Sequence, residues 1–360
     1  MNNNFYTVIM AGGVGSRFWP MSTSKTPKQF LDVLNVGKSL IRQTFERFNK
    51  ITPTENILVV TNESYRDLVK EHLPELDSSQ ILGEPVGRNT APCIAYANEK
   101  ILKRNPNASM VVAPSDHIIR NEDVFTDVVT KALNYVSDKN TLVTLGIEPT
   151  RPDTGYGYIH YQTSESRAFK LVKSFTEKPV LNKAKEFLAS GEYLWNAGIF
   201  VWSAKSIKTA FENSLPKMDK QFAEISTAMD TETEQEAVAE VYNVCENISV
   251  DYGIMERARN VEVYPAPFDW SDVGTWNALY DIQSQDENGN VIKSNRLLIR
   301  NTHNSLVYLN DEKFVAINGV SNLIVVESND AILIADRNDE QAVKEVVNAL
   351  KKNNELKQFT

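Results

Sequence analysis

The residues best suited to chemistry form a glycine-rich turn near the start of the chain. Residues 8–20 read VIMAGGVGSRFWP, so a strongly apolar run enters three glycines and then meets Ser16 and Arg17. Main-chain N–H groups of such a turn can bind phosphate oxygens, and Arg17 with Lys28 of KTPKQF can offset phosphate charge. The two cations favour a phosphate cradle over a purely structural strand-to-helix connection.

Two other phosphate-binding motifs fit this sequence poorly. A dinucleotide fingerprint needs a third glycine where the chain has Phe18. A Walker loop ending in Gly37-Lys38-Ser39 would need a glycine at Asp32, and no buried strand leads directly into it. We interpret residues 37–39 as a turn and helix cap.

Two aspartates are candidates for a divalent cation. Asp116 follows an apolar run in PSDH, and Asp272 lies in DWSDVGTW, where Asp269 is the alternative to it. Two carboxylates and substrate phosphates are a common way to hold Mg²⁺. In a purely structural interpretation Asp116 caps a helix and Asp272 occupies a turn.

Strand-like runs alternate with helical patterns in the first part of the chain. The runs cover 5–11, 57–61, 80–83, 109–114 and 141–147, with helical patterns at 39–48, 63–72, from about 90, and at 123–136. This alternation predicts an α/β fold with a Rossmann-like, mostly parallel or mixed sheet. Ligands of such sheets bind at the carboxyl ends of the strands, where the glycine turn and PSDH both fall.

The pattern changes after about Gly155. Three further strands are expected in GYGYIHYQT, FKLVKSFTEKP and GIFVWSA, with helices at 182–190, 204–213 and 219–242. The polar stretch 281–290 predicts a boundary between a catalytic domain, 1–284, and a β-rich domain, 285–360. Short apolar runs in the second domain fit a meander or a few coils of β-helix, followed by a closing helix at 338–352.

Composition excludes several classes of protein. The 360 residues carry a formal net charge of −9, which argues against non-specific binding of nucleic acid. No apolar stretch approaches the roughly 20 residues that cross a bilayer, and the N-terminus lacks the features of a signal peptide. With only Cys93 and Cys245, a disulfide framework is not expected. These features predict a cytoplasmic protein without nucleic-acid or membrane partners.

Nine sequence blocks in order carry a family resemblance. They are AGGVGSRFWPMS, PKQFL, GEPVGRNTAPCIA, PSDH, TGYGYI, FTEKP, WNAGIFVW, VDYGIMERA and DWSDVGTW. Between residues 5 and 280 the chain resembles the mannose-1-phosphate guanylyltransferases, or GDP-mannose pyrophosphorylases, of the sugar nucleotidyltransferase family. Its β-rich tail resembles their short left-handed β-helix. Some relatives add a phosphomannose isomerase domain, for which this chain is too short, so a single activity is expected. Phe18 departs from the leucine common in the family, and should only repack the turn.

The resemblance implies a reaction in which mannose 1-phosphate attacks the α-phosphorus of GTP, giving GDP-mannose and pyrophosphate. Arg17, Lys28, Asp116, Lys178 and Asp272 would be the catalytic residues, and Asp116 and Asp272 would bind Mg²⁺. The implied nucleotide-binding residues are Gly12, Gly13, Gly15, Ser16, Glu84, Gly87, Asn89 and Thr90. The implied sugar-binding residues are Gly157, Glu177, Asn196 and Gly198.

Three alternatives stay open at this point. Another hexose-1-phosphate nucleotidyltransferase would use UTP or dTTP, and a regulatory homologue of the same fold would be catalytically silent. The intact candidate residues argue against a silent homologue. A nicotinamide-dependent oxidoreductase is opposed by the missing third glycine. The exposed strand edges of the tail favour a homodimer.

Overall fold

The computed structural model of the chain describes residues 2–163, 167–339 and 342–360. Its contacts divide the chain into two compact units. The first consists of Met1–Gly12, Arg42–Ser115 and Ile119–Trp270, and the second of Gly13–Ile41, Asp116–Ile118 and Ser271–Thr360. The second unit therefore contains most of the glycine turn as well as the β-rich tail. The division into domains 1–284 and 285–360 stays a prediction.

Strands and helices largely alternate up to residue 147 and follow one another less regularly from there to residue 282. The strands are β1 (Phe5–Ala11), β2 (Ile57–Asn62), β3 (Ile81–Glu84), β4 (Ser109–Pro114), β5 (Ile118–Ile119), β6 (Leu142–Ile147), β7 (Tyr158–Tyr161), β8 (Lys170–Thr176), β9 (Tyr193–Ser203), β10 (Val261–Pro265) and β11 (Trp270–Ser271). The helices are α1 (Leu40–Phe48), α2 (Arg66–His72), α3 (Thr90–Arg104), α4 (Glu122–Val136), α5 (Leu181–Ser190), α6 (Ala204–Ser214), α7 (Pro216–Glu224), α8 (Glu234–Val244) and α9 (Trp276–Ile282).

The first unit is built on a nine-stranded sheet in the order β3-β2-β1-β4-β9-β6-β10-β8-β7. Strands β3, β2, β1 and β4 are parallel, whereas β9 is antiparallel to both β4 and β6. The apolar run of β1 is buried along almost its whole length, as expected for a strand with both faces covered. The predicted α/β class with a mixed sheet is confirmed. Glu84, at the end of β3, and Gly12, just after β1, lie at the carboxyl edge.

The prediction of one helix over 219–242 is wrong. Residues 216–244 form α7 and α8, separated by a turn in which Asp230 has a φ of 58°. Asp230 pairs with Lys100 at 3.0 Å and Arg104 at 2.6 Å, and both partners lie on α3. These ion pairs with a helix distant in sequence favour the break between α7 and α8. The spacing of apolar residues does not predict such contacts.

The β-rich part of the second unit contains coils of parallel strands. It comprises β12 (Val291–Lys293), β13 (Leu297–Arg300), β14 (Leu306–Tyr308), β15 (Val315–Asn318), β16 (Leu323–Ser328), β17 (Ala331–Asp336) and helix α10 (Ala342–Lys352). Strand β14 is parallel to both β12 and β16, and β13 is parallel to β15. A meander would pair successive strands antiparallel, so these registers select the β-helix. Of the predicted closing helix 338–352, residues 340–341 lie outside the described part of the chain, and the helix is described from Ala342.

Each unit has its own apolar core. In the second unit Phe18 and Trp19 pack in one cluster with Trp276 of α9 and with Val343 and Val347 of α10. The residues directly after the glycine turn are thus held by the C-terminal part of the chain. No helix in the described residues is long and apolar enough to cross a membrane.

Candidate active site

The glycine turn folds back on Lys28. Gly15 has a φ of 72°, and a Cβ atom there would lie 2.5 Å from Cβ of Lys28. The main-chain N–H of Lys28 donates to the Val14 carbonyl oxygen at 3.0 Å. Only glycine meets both the left-handed conformation and the close approach. A Cβ at Gly13, in contrast, would meet nothing within 4 Å, so its surroundings do not require glycine.

The buried Lys28 side chain contacts both segments that carry a predicted metal ligand. Its ammonium donates to Asp116 Oδ2 at 2.9 Å and to the main-chain oxygen of Asp272 at 2.7 Å. Burial opposes ionisation of Asp116, but the charges of Lys28 and His117 outweigh it and lower the pKa of that carboxyl group. Asp116 is therefore a carboxylate at neutral pH. The structure brings Lys28, Asp116 and Asp272 together within the second unit.

The Asp272 side chain lies over its own turn. Its Oδ1 accepts a hydrogen bond from the Gly274 N–H at 3.0 Å, and the intervening Val273 has a φ of 43°. The alternative ligand, Asp269, belongs to the first unit, where its main-chain oxygen accepts from the Arg120 N–H at 3.2 Å. The shared contact with Lys28 therefore favours Asp272 as the partner of Asp116.

Arg17 ends the turn with an unsatisfied donor. Its Nε atom is buried and has no hydrogen-bond partner within the described residues. A buried donor without an acceptor costs free energy and is uncommon in folded proteins. An anionic oxygen from a ligand would satisfy it. Ser16 begins the short 3-10 turn Ser16–Phe18 that carries Arg17.

Glu84 is a buried carboxyl group at the end of β3. Its side chain accepts a hydrogen bond from the Tyr242 hydroxyl at 2.9 Å, and a Cβ on Gly12 would lie 3.2 Å from its other oxygen. Burial raises the pKa of Glu84 to about 7, against the lowering effect of the Tyr242 hydrogen bond. Glu84 is therefore an acceptor whose charge changes near neutral pH. Tyr242 was not predicted, since a tyrosine in a helix carries no local signal of such a role.

The rest of the predicted base-binding block has visible structural contacts. Asn89 has a φ of 68° and its side chain caps α3 by accepting from the Thr90 N–H at 3.0 Å. The Thr90 hydroxyl accepts from the Val250 N–H at 2.9 Å. A Cβ at Gly87 would meet nothing within 4 Å. These contacts order the loop beside Glu84, and the nucleotide-binding roles of the three residues stay predictions.

We expect Glu84 to make the stability of the protein depend on pH. Its pKa is about 7 in the folded chain against 4.5 for the free side chain, so the folded state holds the proton more tightly. This contribution to the free energy of unfolding is complete below about pH 4.5 and is lost as the pH rises through about 7. As the pH rises from about 4 to about 8, the free energy of unfolding of the Glu84→Gln variant should therefore increase by roughly 3 kcal/mol relative to that of the wild type. Denaturant unfolding at several pH values measures the difference, and parallel curves for the two proteins would contradict it.

The predicted sugar-binding residues form a second cluster, in the first unit. The Asn196 N–H donates to the Gly157 carbonyl at 2.8 Å, and a Cβ at Gly157 would lie 2.5 Å from Oε2 of Glu177. Asn196 Oδ1 accepts from the Gly198 N–H at 3.2 Å, where Gly198 has a φ of 65°. All four predicted residues therefore lie in one connected set of contacts. Lys178, with a φ of 45°, forms an ion pair with Glu177 and is 62% exposed.

Asp251 is a further member of this cluster that the residue assignments missed. The Asn196 side-chain N–H donates to Asp251 Oδ1 at 2.8 Å, which leaves the second carboxyl oxygen for another partner. Burial, and then the charge of Glu177, raises the pKa of Asp251. Asp251 begins a short π-helix, Asp251–Met255, a feature found often at functional sites. The available signal is the carboxylate at the second position of the VDYGIMERA block.

Family models match both parts of the chain. The model described as nucleotidyl transferase matches residues 6–289, and the model described as MannoseP isomerase/GMP-like beta-helix domain matches residues 294–350. The second match agrees with the parallel coils of β12–β16.

Individual relatives match over nearly the whole chain. A Klebsiella pneumoniae mannose-1-phosphate guanylyltransferase is 40% identical over 96% of this chain and 74% of its own length. An Escherichia coli protein of the same name shows the same identity and coverage. A crystal structure named mannose-1-phosphate geranyltransferase, from Thermus thermophilus, has a TM-score of 0.87 and 32% identity, covering 97% of this chain and 99% of that one. The chain therefore belongs to the nucleotidyl transferase family and, within it, to the mannose-1-phosphate guanylyltransferases.

Proposed function

We propose that this chain transfers GMP from GTP to α-D-mannose 1-phosphate, giving GDP-mannose and pyrophosphate. The observation that carries the mechanism is the convergence of Lys28, Asp116 and Asp272 at the glycine turn. This set holds charged groups of both signs beside N–H donors, as a reaction between two polyanions requires. Arg17 adds the unsatisfied Nε donor described above.

The proposed step is an in-line displacement. A phosphate oxygen of the sugar phosphate forms a bond to the α-phosphorus of GTP, and the bond from that phosphorus to the bridging oxygen breaks. The electron pair leaves with pyrophosphate. Because the attacking phosphate is already an anion at neutral pH, no general base is needed, and the protein contributes alignment and charge neutralisation.

We assign the guanine to Glu84. Guanine presents N1–H and N2–H₂ donors, and a carboxylate offers two acceptor oxygens. Gly12 leaves the space beside Glu84 Oε2 open, since a side chain there would start 3.2 Å away. The ionised form is the one that accepts, and Tyr242 supports it by donating to Oε1.

We assign the mannose hydroxyls to the cluster around Asn196. Glu177 and Asp251 place carboxyl groups near the Asn196 amide, and the Thr144 hydroxyl donates to its Oδ1 at 3.1 Å, which fixes the orientation of that amide. A sugar with several hydroxyls needs this alternation of donors and acceptors. The absence of a side chain at Gly157 allows the Glu177 carboxylate to lie close to the main chain. We assign the sugar phosphate to Lys178.

The residues around Lys28 fit a magnesium ion. Asp116 is ionised and about a third of its side chain is exposed, at 31%, so one of its oxygens can take a further ligand. The described residues contain no group of three or more His, Cys, Asp or Glu side chains placed to hold a metal. Mg²⁺ commonly uses one or two carboxylates with waters and substrate phosphates, so Asp116 and Asp272 suffice. When bound, Mg²⁺ would neutralise charge on the phosphates and orient them.

Pyrophosphate release tests the assignment directly. Each of GTP, ATP, UTP and dTTP is mixed with each of mannose 1-phosphate and glucose 1-phosphate, with Mg²⁺ present. We expect rapid release only for GTP with mannose 1-phosphate. Preference for UTP or dTTP would make the chain a different hexose-1-phosphate nucleotidyltransferase, and the absence of release from every pair would support the silent homologue.

The replacement Lys178→Ala is expected to impair use of the sugar phosphate and to leave GTP affinity nearly intact. Lys178 contacts Glu177 of the sugar cluster and is largely exposed, so its loss should not disturb folding. We expect KM for mannose 1-phosphate to rise by at least about tenfold, in line with loss of one charged hydrogen bond. Steady-state kinetics with each substrate varied in turn measure the two effects. Weak GTP binding with a normal KM for the sugar phosphate would place Lys178 at the other substrate.

The homodimer and the cytoplasmic location stay predictions. Sedimentation of the purified chain would test the first. Ile332 and Ile334 of the outermost strand β17 are 52% and 68% exposed, which is consistent with a surface that a second copy could cover.

A further inference from the structure

The residues that follow the glycine turn are anchored by the last residues of the chain. Trp19 is 7% exposed, and its indole Nε1–H donates to the main-chain oxygen of Phe359 at 2.7 Å. The Ser24 hydroxyl donates to the main-chain oxygen of Thr360 at 2.6 Å. The two bonds join segments about 340 positions apart in sequence, all within the second unit.

The anchored tail is itself ordered by local hydrogen bonds. After α10 ends, the N–H groups of Leu356 and Lys357 donate to the Asn353 carbonyl oxygen at 3.2 and 2.9 Å. A short 3-10 turn, Lys357–Phe359, follows. These bonds set the direction in which the Phe359 oxygen points, so the acceptor for Trp19 is presented by a folded segment.

Contacts lead from Trp19 to the cations of the turn. The main-chain oxygen of Trp19 accepts from Nε1–H of Trp276 at 3.1 Å, and the Trp276 ring lies 4.5 Å from the ring of Phe18. Phe18 is fully buried, follows Arg17 directly, and its ring centroid is 5.3 Å from Nζ of Lys28. A shift of Trp19 would therefore be transmitted to Arg17 along the chain and to Lys28 through Phe18.

The geometry points to residues 353–360 as a positioning segment for the phosphate-binding turn, acting through Trp19. Trp19 is a positioning residue: it aligns Arg17 and Lys28 without touching substrate. The inference rests on the proposed role of this turn in binding the GTP phosphates. It implies that a segment of the second unit sets the affinity for the nucleotide and leaves the cluster around Asn196, in the first unit, unaffected.

The test compares the full chain with Trp19→Phe and with a chain ending at Lys352. Phenylalanine keeps an aromatic ring but removes the N–H donor together with part of the indole surface, so KM for GTP should rise by at least about fivefold, the effect of one buried hydrogen bond. Truncation should raise it by at least about tenfold, and by up to about 100-fold if the turn moves by about 1 Å. KM for mannose 1-phosphate should change less than about twofold in both. Combining the two changes should add little to truncation alone, because both remove the same contact.

Two further measurements separate this inference from the proposed function. Amide hydrogen exchange of residues 13–28, measured without substrate, should be faster in both variants than in the full chain. Lys344→Ala is the matched control, since Lys344 is an exposed residue of α10 outside residues 353–360, and exchange and KM should be unchanged. If the full chain transfers no GMP, the proposed function fails while exchange still decides whether the tail holds the turn. Unchanged exchange in both variants, or equal losses for both substrates, would overturn the inference.

Discussion

Asp116→Asn is expected to lower turnover by at least about 100-fold, with the protein still folded and still binding mannose 1-phosphate. The replacement keeps the side-chain shape and an acceptor for the Lys28 ammonium. It removes the negative charge that forms an ion pair with Lys28 and is proposed to bind Mg²⁺. The lowered pKa of Asp116 means that the charge is present throughout the neutral range. Rapid-mixing kinetics, circular dichroism and calorimetric titration with mannose 1-phosphate provide the three readouts.

Asp272→Asn should cause a similar loss, and Asp269→Asn is its matched control. Asp272 reaches Lys28 through its main-chain oxygen, which the substitution keeps, so the position of Lys28 should survive. Titration of Mg²⁺ in the presence of GTP should then show weaker binding for Asp116→Asn and Asp272→Asn than for Asp269→Asn. Near-normal activity of Asp272→Asn would remove it from the metal site and make Asp269 the next candidate.

The second large effect concerns the choice of base. We expect kcat/KM for GTP to exceed that for ATP by about 10⁴ or more, because buried acceptors that fit guanine would be left unpaired by adenine. Glu84→Gln should lower kcat/KM for GTP by at least about tenfold and leave the slow reaction with ATP unchanged. Comparable efficiency with both nucleotides in the wild type would exclude Glu84 as the residue that reads guanine.

The pH profile gives this assignment an independent check. Because the pKa of Glu84 is about 7 and the proposed contact with guanine needs the ionised form, kcat/KM for GTP should rise between about pH 6 and 8. The Glu84→Gln variant should not show this rise. Dividing the wild-type pH profile by that of the variant removes the contribution from titration of GTP itself. Tyr242→Phe is the matched control: it removes the hydroxyl that donates to Glu84 and keeps the carboxyl group, so the pH dependence should shift rather than vanish.

Local patterns located most elements of the first unit because strand and helix periods are properties of short segments. The run SMVVAP matches β4, and the start of α3 at Thr90 follows the Asn89 cap. The prediction of one helix over 219–242 is wrong because Asp230 forms ion pairs with Lys100 and Arg104, which lie more than 120 positions away in sequence and favour a turn at Asp230.

The features of the candidate site also divide into those that local sequence predicts and those that depend on tertiary contacts. Residue type and local order are enough to predict the glycine turn, its trailing arginine, the β-rich tail and, through the ordered motifs, the family. Only the folded chain shows that buried Lys28 contacts both Asp116 and Asp272, that Tyr242 donates to Glu84, and that Asp251 joins the cluster around Asn196. It also shows that the residues after the turn pack in one unit with the C-terminal helix and tail. Each of these contacts joins segments that are distant in sequence and meet only when the chain folds. Their free energy therefore cannot be predicted from the periodicity of any short segment.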